Sequence, residues 1–260
     1  IQRDIGALLT RLYPKPDIIF SSLHGRYGED GCVQGLLNIL GIPYTHSGVL
    51  ASALSMNKHM AKSIIEGVGI KVAKHKIITQ DDFKSENFLS PPFVIKPINE
   101  GSSIGIHIVP SDADKPYFDE NDWIFGNNAM IEEFIPGREL TVTVMGNRPL
   151  AVTEVITGSQ FYNYETKYTN GASTHIVPAD IPSEIYNEAM RISLLAHETL
   201  GCRGISRADI RYDGNDLYML ELNTQPGMTP TSLVPEQAEY LDISFNELVR
   251  WLVENASCDD

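Results

Sequence analysis

Cysteine is scarce in this chain: Cys32, Cys202 and Cys258 are far apart and odd in number. That excludes a disulfide framework and a cysteine-held zinc site, and it points to a reducing, cytoplasmic setting. Basic residues are also few, with 20 Lys and Arg against 34 Asp and Glu and a net charge of −14. Phosphate backbones are bound by clustered Lys and Arg, so no nucleic acid is expected as a partner. A local basic pocket for a small anion stays open, because the field at a site depends on nearby groups. No apolar run reaches the length that crosses a bilayer, so no membrane is expected either. No charged-then-apolar segment opens the chain, and export is not expected. Internal repeats and low-complexity linkers are missing as well.

What is present suits an α/β protein. A chain of 260 residues, 42% hydrophobic, can bury large cores and divide into two or three lobes. Ile5 to Leu12 predicts a short helix, and DIIFSS, Asp17 to Ser22, a buried strand. Open α/β domains usually begin with a strand, so an earlier strand and loop are expected ahead of Ile1. HGRYGEDG, His24 to Gly31, follows. Val33, Leu36, Leu37 and Leu40 then keep the i, i+3, i+4, i+7 spacing of an amphipathic helix that ends at Gly41. Strand, loop, helix implies a parallel sheet with the loop at the strand's carboxyl end, where such folds place ligands.

From Val49 the pattern changes. Helices are expected near Leu50–Leu54 and Lys58–Glu66, then a strand at Val72–Ile78. FVIKPINEGSSIGIHIV, Phe93 to Val109, reads as a hairpin. A polar loop from Ser111 to Asn128 leads to strands at Ala129–Phe134, Glu139–Met145 and Leu150–Ile156. Gln160 to Ala179 is long and polar, the size of a lid or binding loop. A helix from Ser183 through Leu200, strands at Ile205–Tyr212 and Leu217–Asn223, and helices near Pro230–Tyr240 and Phe245–Asn255 complete the chain. The domain expectation is residues 1–49, 50–134 and 135–260.

The strongest local chemistry is SRADIRYDGNDLYMLELNTQPG, Ser206 to Gly227. Side chains alternate along a strand, so Arg207 and Asp209 share a face, as do Glu221 and Asn223. If Asp209 faces Glu221, Arg207 faces Asn223 and Asp213 pairs with Leu217 around a three-residue loop. A bulge has the same effect, whereas a regular two- or four-residue loop puts the groups on opposite sides. Two carboxylates and an amide oxygen on one face suit a hard cation such as Mg²⁺. The plainer alternative is a solvated strand face carrying an Arg–Asp–Glu network.

The hairpin at Phe93–Val109 holds Lys96 and a Gly-Ser-Ser loop, which together can bring backbone donors and one cation to an anion. It lacks the GxxxxGK[ST] pattern of a Walker loop. Lys58 is a second candidate cation. IEEFIPGRE, Ile131 to Glu139, ends a strand in a Pro-Gly turn that leaves backbone groups free to read a base edge. Glu139 suits ribose hydroxyls, and Phe134 and Met219 suit the faces of the ring. Singly, these features are compatible with plain turns and surface lysines. Together they suggest a nucleoside triphosphate between two β layers.

The ordered set HGxxGEDG, IPYTxSGVLASA, MxK, KPxxEGSSxGI, the E-E-F strand, EXKY, RxDI and ELNTxPGMTxxSLVP resembles the D-alanine–D-alanine ligases of the ATP-grasp superfamily, from about Asp17 to Trp251. The resemblance implies three α/β lobes with ATP between the central and carboxy-terminal ones. It implies ATP-dependent joining of two D-alanines through an acyl phosphate for peptidoglycan precursors, and a homodimer. Carried over by motif, Lys58, Lys96 and Lys167 are implied as phosphate contacts, with Ser103 in the phosphate loop. Glu132, the backbone near Glu133 and Ile135, and Glu139 are implied as adenine and ribose contacts. Asp209, Glu221 and Asn223 are implied as ligands of two Mg²⁺ ions, with Mn²⁺ as an alternative. Arg207 and the Gly227 backbone N–H are implied as oxyanion stabilisers, and Ser102 and Tyr168 as groups orienting the substrate side. His24 is implied to contact the first D-alanine, and Ser232 with the Leu233 backbone to grip the second carboxylate. Ser232 can also serve simply as a helix N-cap, and Glu29 and Asp30 as partners of a helix dipole.

The sequence departs from that pattern in four places. The family's usual first strand and glycine-containing loop, which the resemblance implies as the source of a carboxylate for the first D-alanine's ammonium, are absent ahead of Ile1 in this sequence. The usual MDK is MNK, with Asn57. The usual YTGSG is YTHSG, with His46, a side chain whose ordinary pKa allows a charge change between pH 6 and 7. A proline usual near Lys74 is missing. Two rivals follow from the same residues. One is an ATP-grasp ligase using another second substrate, such as D-lactate; the other is a regulator that binds ATP without turnover.

Overall fold

A computed structural model describes residues 4–85, 88–101, 105–118, 122–157 and 173–259. Two antiparallel sheets dominate it. The first has the order β1-β4-β2-β3, from β1 (His75–Ile78), β2 (Phe93–Pro97), β3 (His107–Val109) and β4 (Ala129–Glu133). The second has the order β7-β6-β5-β8-β9, from β5 (Arg138–Met145), β6 (Arg148–Thr157), β7 (Ser173–Ile176), β8 (Ile205–Tyr212) and β9 (Leu217–Asn223).

At the amino end, Leu12, the C-cap of α1 (Ile5–Arg11), and Val33 and Leu40 of α2 (Cys32–Leu40) pack around Leu37, Ile42 and Tyr44. Gly41 ends α2 in the left-handed conformation at φ 61°, which a residue without Cβ adopts at no steric cost. The strand expected at Asp17–Ser22 is reduced to one parallel bridge, Ile19 with Tyr44. Ile19 N–H donates to the Pro43 carbonyl at 2.8 Å and its carbonyl accepts from Thr45 at 3.1 Å. Pro43 has no N–H to lend, so the ladder does not extend through it.

Next, α3 (Val49–Met56) and α4 (Lys58–Gly67) meet at Asn57. Its side chain accepts the Met60 N–H at 3.0 Å and caps α4. Asn and Asp cap about equally well, so the exchange from the family's MDK preserves the helix start. β1 begins at His75, later than Val72, because the Lys71 carbonyl accepts from Met219 at 2.9 Å and Val72 bridges Met219 in the other sheet. Helix α5 (Gln80–Lys84) was not anticipated, although Thr79 and Asp82 form its capping box. The expected polar loop at Ser111–Asn128 is in part a core element. Phe118 and Phe125 are buried with Phe83 and Phe93, and Trp123 packs against them.

The long α6 (Ser183–Thr199) lies with α4 over one face of the second sheet. Their shared core includes Ile65, Leu140, Val142, Ile192, Ala196 and Ile210. The opposite flank is closed by α7 (Leu233–Tyr240) and α8 (Phe245–Glu254), which bury Val234, Leu248 and Leu252 against Leu150 and Ile205. Of the expected loop Gln160–Ala179, residues 160–172 lie outside the described residues, and Ser173–Ile176 forms β7, which pairs with Glu154–Thr157. Among the described residues, no helix is long and apolar enough to cross a membrane.

His46 is buried at φ 71°, in the region that favours the glycine usual there in the family. Burial pushes its pKa down to about 4. The ring is therefore neutral at pH 6 to 7, and the charge change expected from the sequence does not occur.

Candidate active site

The hairpin β8–β9 carries the site. Asp209 stands opposite Glu221, and Arg207 opposite Asn223. The register then shifts, with Ile210 opposite Met219 and Tyr212 opposite Leu217. Of the geometries open to the sequence, a bulge at Leu220 with a four-residue loop, Asp213 to Asp216, is the one adopted; Asp213 does not pair with Leu217. Along β9, Leu217, Met219 and Leu222 are buried while Tyr218, Leu220, Glu221 and Asn223 are half-exposed. The alternation slips by one residue at Leu220–Glu221. An unbulged strand would turn Glu221 into the core with Met219; the extra residue re-aims it outward.

A cavity of about 470 Å³ lies between the two sheets. Val94, Lys96, Ile106 and Ile108 of the first sheet region line it, and Glu139, Asp209, Leu220 and Glu221 come from the second. Glu132, Glu133, Phe134 and Ile135 line the connection between them. Of the two residues expected to cover a base, Phe134 is in the lining. Met219 is in the core, 1% exposed, and Leu220 borders the cavity instead, a consequence of the same bulge.

The acidic and basic groups here are interlocked. Arg207 donates Nε–H and Nη2–H to Asp209 at 2.8 and 2.7 Å. Asp209 also accepts from Asn223 Nδ2 at 3.0 Å and Thr141 Oγ1 at 3.1 Å. Lys58 approaches Glu221 at 3.3 Å and donates to the Glu100 carbonyl. Among the described residues, no group of three or more His, Cys, Asp or Glu side chains is placed to hold a metal. The hard-donor set consists of two carboxylates and one amide.

Glu132 is buried between two lysines. It pairs with Lys96 through Oε1, and its Oε2 lies 3.0 Å from Lys62 Nζ. Burial opposes ionisation of Glu132, but the charges of Lys62 and Lys96 outweigh it and hold the pKa at about 2. Burial draws the Lys62 pKa below its usual value, and Glu132 opposes that shift. Sequence reasoning missed Lys62, although it lies four residues from Lys58 and therefore on the same helix face. Glu132 lines the cavity, but its carboxylate is committed to these lysines, an orientation its motif position did not convey.

Arg211 is the second residue that was missed. It donates Nε–H to the Ile135 carbonyl at 3.1 Å and Nη2–H to that of Gly137 at 2.9 Å, and reaches Glu139 at 3.4 Å. It thereby holds the turn after β4 against β8. Its position on the Arg207–Asp209 face was visible in the alternation. Gly137 has φ 101°, and a Cβ there would lie 2.1 Å from the Tyr212 carbonyl oxygen. Gly137→Ala is expected to cost at least about 2 kcal/mol from backbone strain plus that collision, read as a lowered urea midpoint with unchanged slope.

On the far side, His24 lies 3.5 Å from Glu29. The bond to Glu29 raises the His24 pKa above 6.5, while burial and the charge of Arg207 pull against it. Gly227 packs against Ser232; a Cβ there would meet Ser232 Oγ at 3.0 Å. Ser232 occupies the N-cap position of α7, but its hydroxyl makes no capping bond. It accepts from Thr229 N–H at 3.0 Å and contacts Thr229 Oγ1 at 2.8 Å. Leu233 is buried at the helix start. Gln225 donates to the Leu23 carbonyl, which joins this segment to the loop carrying His24. Ser102, Ser103, Lys167 and Tyr168 lie outside the described residues.

Comparison with known proteins agrees with this architecture. The family model for the D-ala D-ala ligase C-terminus matches residues 64–254, and that for the D-ala D-ala ligase N-terminus matches residues 7–47. The chain is 52% identical over 260 residues to the D-alanine–D-alanine ligase of Rhodospirillum rubrum, covering 100% of this chain and 86% of that one. It is 54% identical over 252 residues to that of Paramagnetospirillum magneticum, covering 94% and 82%. The crystal structure of D-alanine–D-alanine ligase from Bacillus anthracis complexed with ATP is similar with a TM-score of 0.82 and 29% identity, over 97% of this chain and 83% of that one. The chain belongs to the D-alanine–D-alanine ligase family.

Proposed function

We propose that the cavity between the two sheets is where this ligase joins two D-alanines to D-alanyl-D-alanine, for peptidoglycan precursors, with release of ADP and phosphate. Family membership supports the reaction. The observation tying it to this cavity is the register that sets Asp209 against Glu221 and Arg207 against Asn223.

A carboxylate is a poor acyl donor because oxide would have to leave. Transfer of the γ-phosphoryl group to the first D-alanine's carboxylate forms a new O–P bond and breaks the β–γ bridge, giving ADP and an acyl phosphate. The second D-alanine's amine attacks the acyl carbon; the tetrahedral intermediate collapses with loss of phosphate, and the nitrogen gives up its proton. Lys58 and Lys96 compensate charge on the phosphoryl oxygens, with Lys96 held by Glu132. The backbone at Glu133 and Ile135 reads the adenine edge, and Glu139 takes the ribose hydroxyls. Arg207 and the Gly227 N–H face the tetrahedral oxyanion. His24 contacts the first D-alanine; Ser232 and the Leu233 N–H grip the second. Ser102, Ser103, Lys167 and Tyr168 keep the roles implied by resemblance. Asp209, Glu221 and Asn223 fit Mg²⁺, because hard oxygen donors with room for phosphate oxygens are what that ion takes; when bound it neutralises phosphate charge. The free thiols of all three cysteines support a cytoplasmic location. A homodimer is part of the same proposal, and light scattering tests it.

The experiment is phosphate release from ATP with D-alanine, with D-alanine plus D-lactate or with neither, and identification of the product formed. Release that depends on D-alanine is expected. ATP binding without any such release would favour the regulator, and preference for D-lactate as acceptor would favour the other ligase.

His24 adds a pH dependence. With its pKa raised above 6.5 by Glu29, the imidazolium persists above the ordinary histidine range and is lost as pH rises further. KM for the first D-alanine is expected to climb through that loss, and His24→Asn to flatten the climb. A slope that survives the substitution would remove His24 from the binding step.

A further inference from the structure

His59 on α4 and His75 at the start of β1 have no part in the proposed chemistry. His59 Nδ1 and His75 Nε2 stand 3.1 Å apart, with the ring planes at 69°. His75 Nδ1 is 3.2 Å from the Ala73 carbonyl oxygen. A carbonyl only accepts, so Nδ1 carries the hydrogen and Nε2 turns its lone pair toward His59. A ring nitrogen bonded to a backbone carbonyl is the outer contact that orients histidine ligands at metal centres. Two nitrogens bound tetrahedrally at about 2.0–2.1 Å lie roughly 3.3 Å apart, close to the spacing here. Both rings are half-buried and reachable from solvent.

We propose that His59 and His75 form a two-imidazole site for a borderline transition cation such as Zn²⁺, with water completing the shell. Binding requires a tautomer change, in which the His59 proton moves from Nδ1 to Nε2, together with a rotation of the two rings that brings both lone pairs onto the ion. Burial lowers the His75 pKa below 6.5, opposed chiefly by the bond to the Ala73 carbonyl and aided by the charges of Lys62 and His59, so the ring is neutral near neutral pH and competent as a ligand. Imidazole pairs select Zn²⁺, Cu²⁺ or Ni²⁺ over Mg²⁺, which separates this site from the carboxylate hairpin. The location matters: His59 follows Lys58 directly, and His75 is the cross-strand partner of Glu132. An ion here pins α4 to β1 beside the residues that manage the lysine charges.

The test is calorimetric titration of the intact protein with Zn²⁺ near neutral pH, without nucleotide or phosphate and with excess Mg²⁺ to fill hard-oxygen sites. One bound equivalent is expected. His59→Gln and His75→Gln should each weaken it by about tenfold or more, and Cys32→Ser, which removes an exposed thiol, should leave it unchanged. Wild-type affinity in both histidine variants, or binding lost with Cys32, overturns the proposal. Protection of His59 and His75 from diethylpyrocarbonate by Zn²⁺ in the unsubstituted protein provides the measurement that needs no variant; absence of protection also overturns it.

Discussion

Glu132→Gln is expected to destabilise the protein by about 3–5 kcal/mol, because it strips the carboxylate from a buried cluster and leaves two ammonium groups uncompensated. Lys62 is 1% exposed and Lys96 is 5% exposed, so solvent does little to replace the lost charge. Lys62 also donates to the Met219 carbonyl at 3.3 Å, and this single bond does not offset desolvation of a full charge. The added substitution Lys62→Met should recover part of the loss, since removing both an acid and a base costs less than orphaning one. Urea unfolding of the two single variants and the double variant measures the coupling. Additive losses would mean that the pair does not interact.

The same cluster sets an acid limit. Glu132 has a folded pKa of about 2 against an ordinary value of 4.5. A depressed carboxyl pKa contributes stability that is fully present above the unfolded value. That contribution is lost as pH falls through the folded value, so the window runs from about 4.5 down to about 2. In Glu132→Gln this limb should be absent from the pH profile of unfolding. Its persistence at full size would assign acid sensitivity to other carboxylates.

Legibility followed chemistry more closely than geometry. The helices from Lys58 and Phe245 were readable because helical spacing agreed with the caps Asn57 and Ser244, and the one from Ser183 because Pro182 stands at its start. The face shared by Arg207 and Asp209 needed only strand alternation. Whether Glu221 joined that face depended on one extra residue, and no propensity in YMLEL marks Leu220 as the bulge. Tertiary contacts decided the rest. Lys71 and Val72 are drawn to β9, which delays β1, and Phe118 and Phe125 turn a nominally polar loop into core. Glu132 reads as a nucleotide contact from its motif, yet two lysines from different elements claim its carboxylate. Such convergence on one buried atom is invisible along a single chain segment. Lys62 and Arg211, by contrast, are legible from periodicity alone, one helical turn after Lys58 and two residues after Asp209 on its strand face.

Arg207→Ala is expected to lower kcat by about 10²–10³-fold, the usual effect of losing one preorganised donor to an oxyanion, while ATP affinity changes little. The geometry explains why the effect should fall on turnover. The guanidinium is fixed by two bonds to Asp209 on its own strand, and Asn223 faces it across the hairpin. It is therefore oriented before substrate arrives and pays no ordering cost at the reactive step. Asp209 keeps its bonds from Asn223 and Thr141 when Arg207 is removed, so the carboxylate face should survive and ATP should still bind. Arg207→Lys retains the charge but cannot make the planar two-bond contact, and should fall between wild type and alanine in kcat. Steady-state kinetics and equilibrium nucleotide binding on the three proteins separate the outcomes. A parallel loss of ATP affinity and kcat would make Arg207 a support for the carboxylate face rather than a donor to the intermediate.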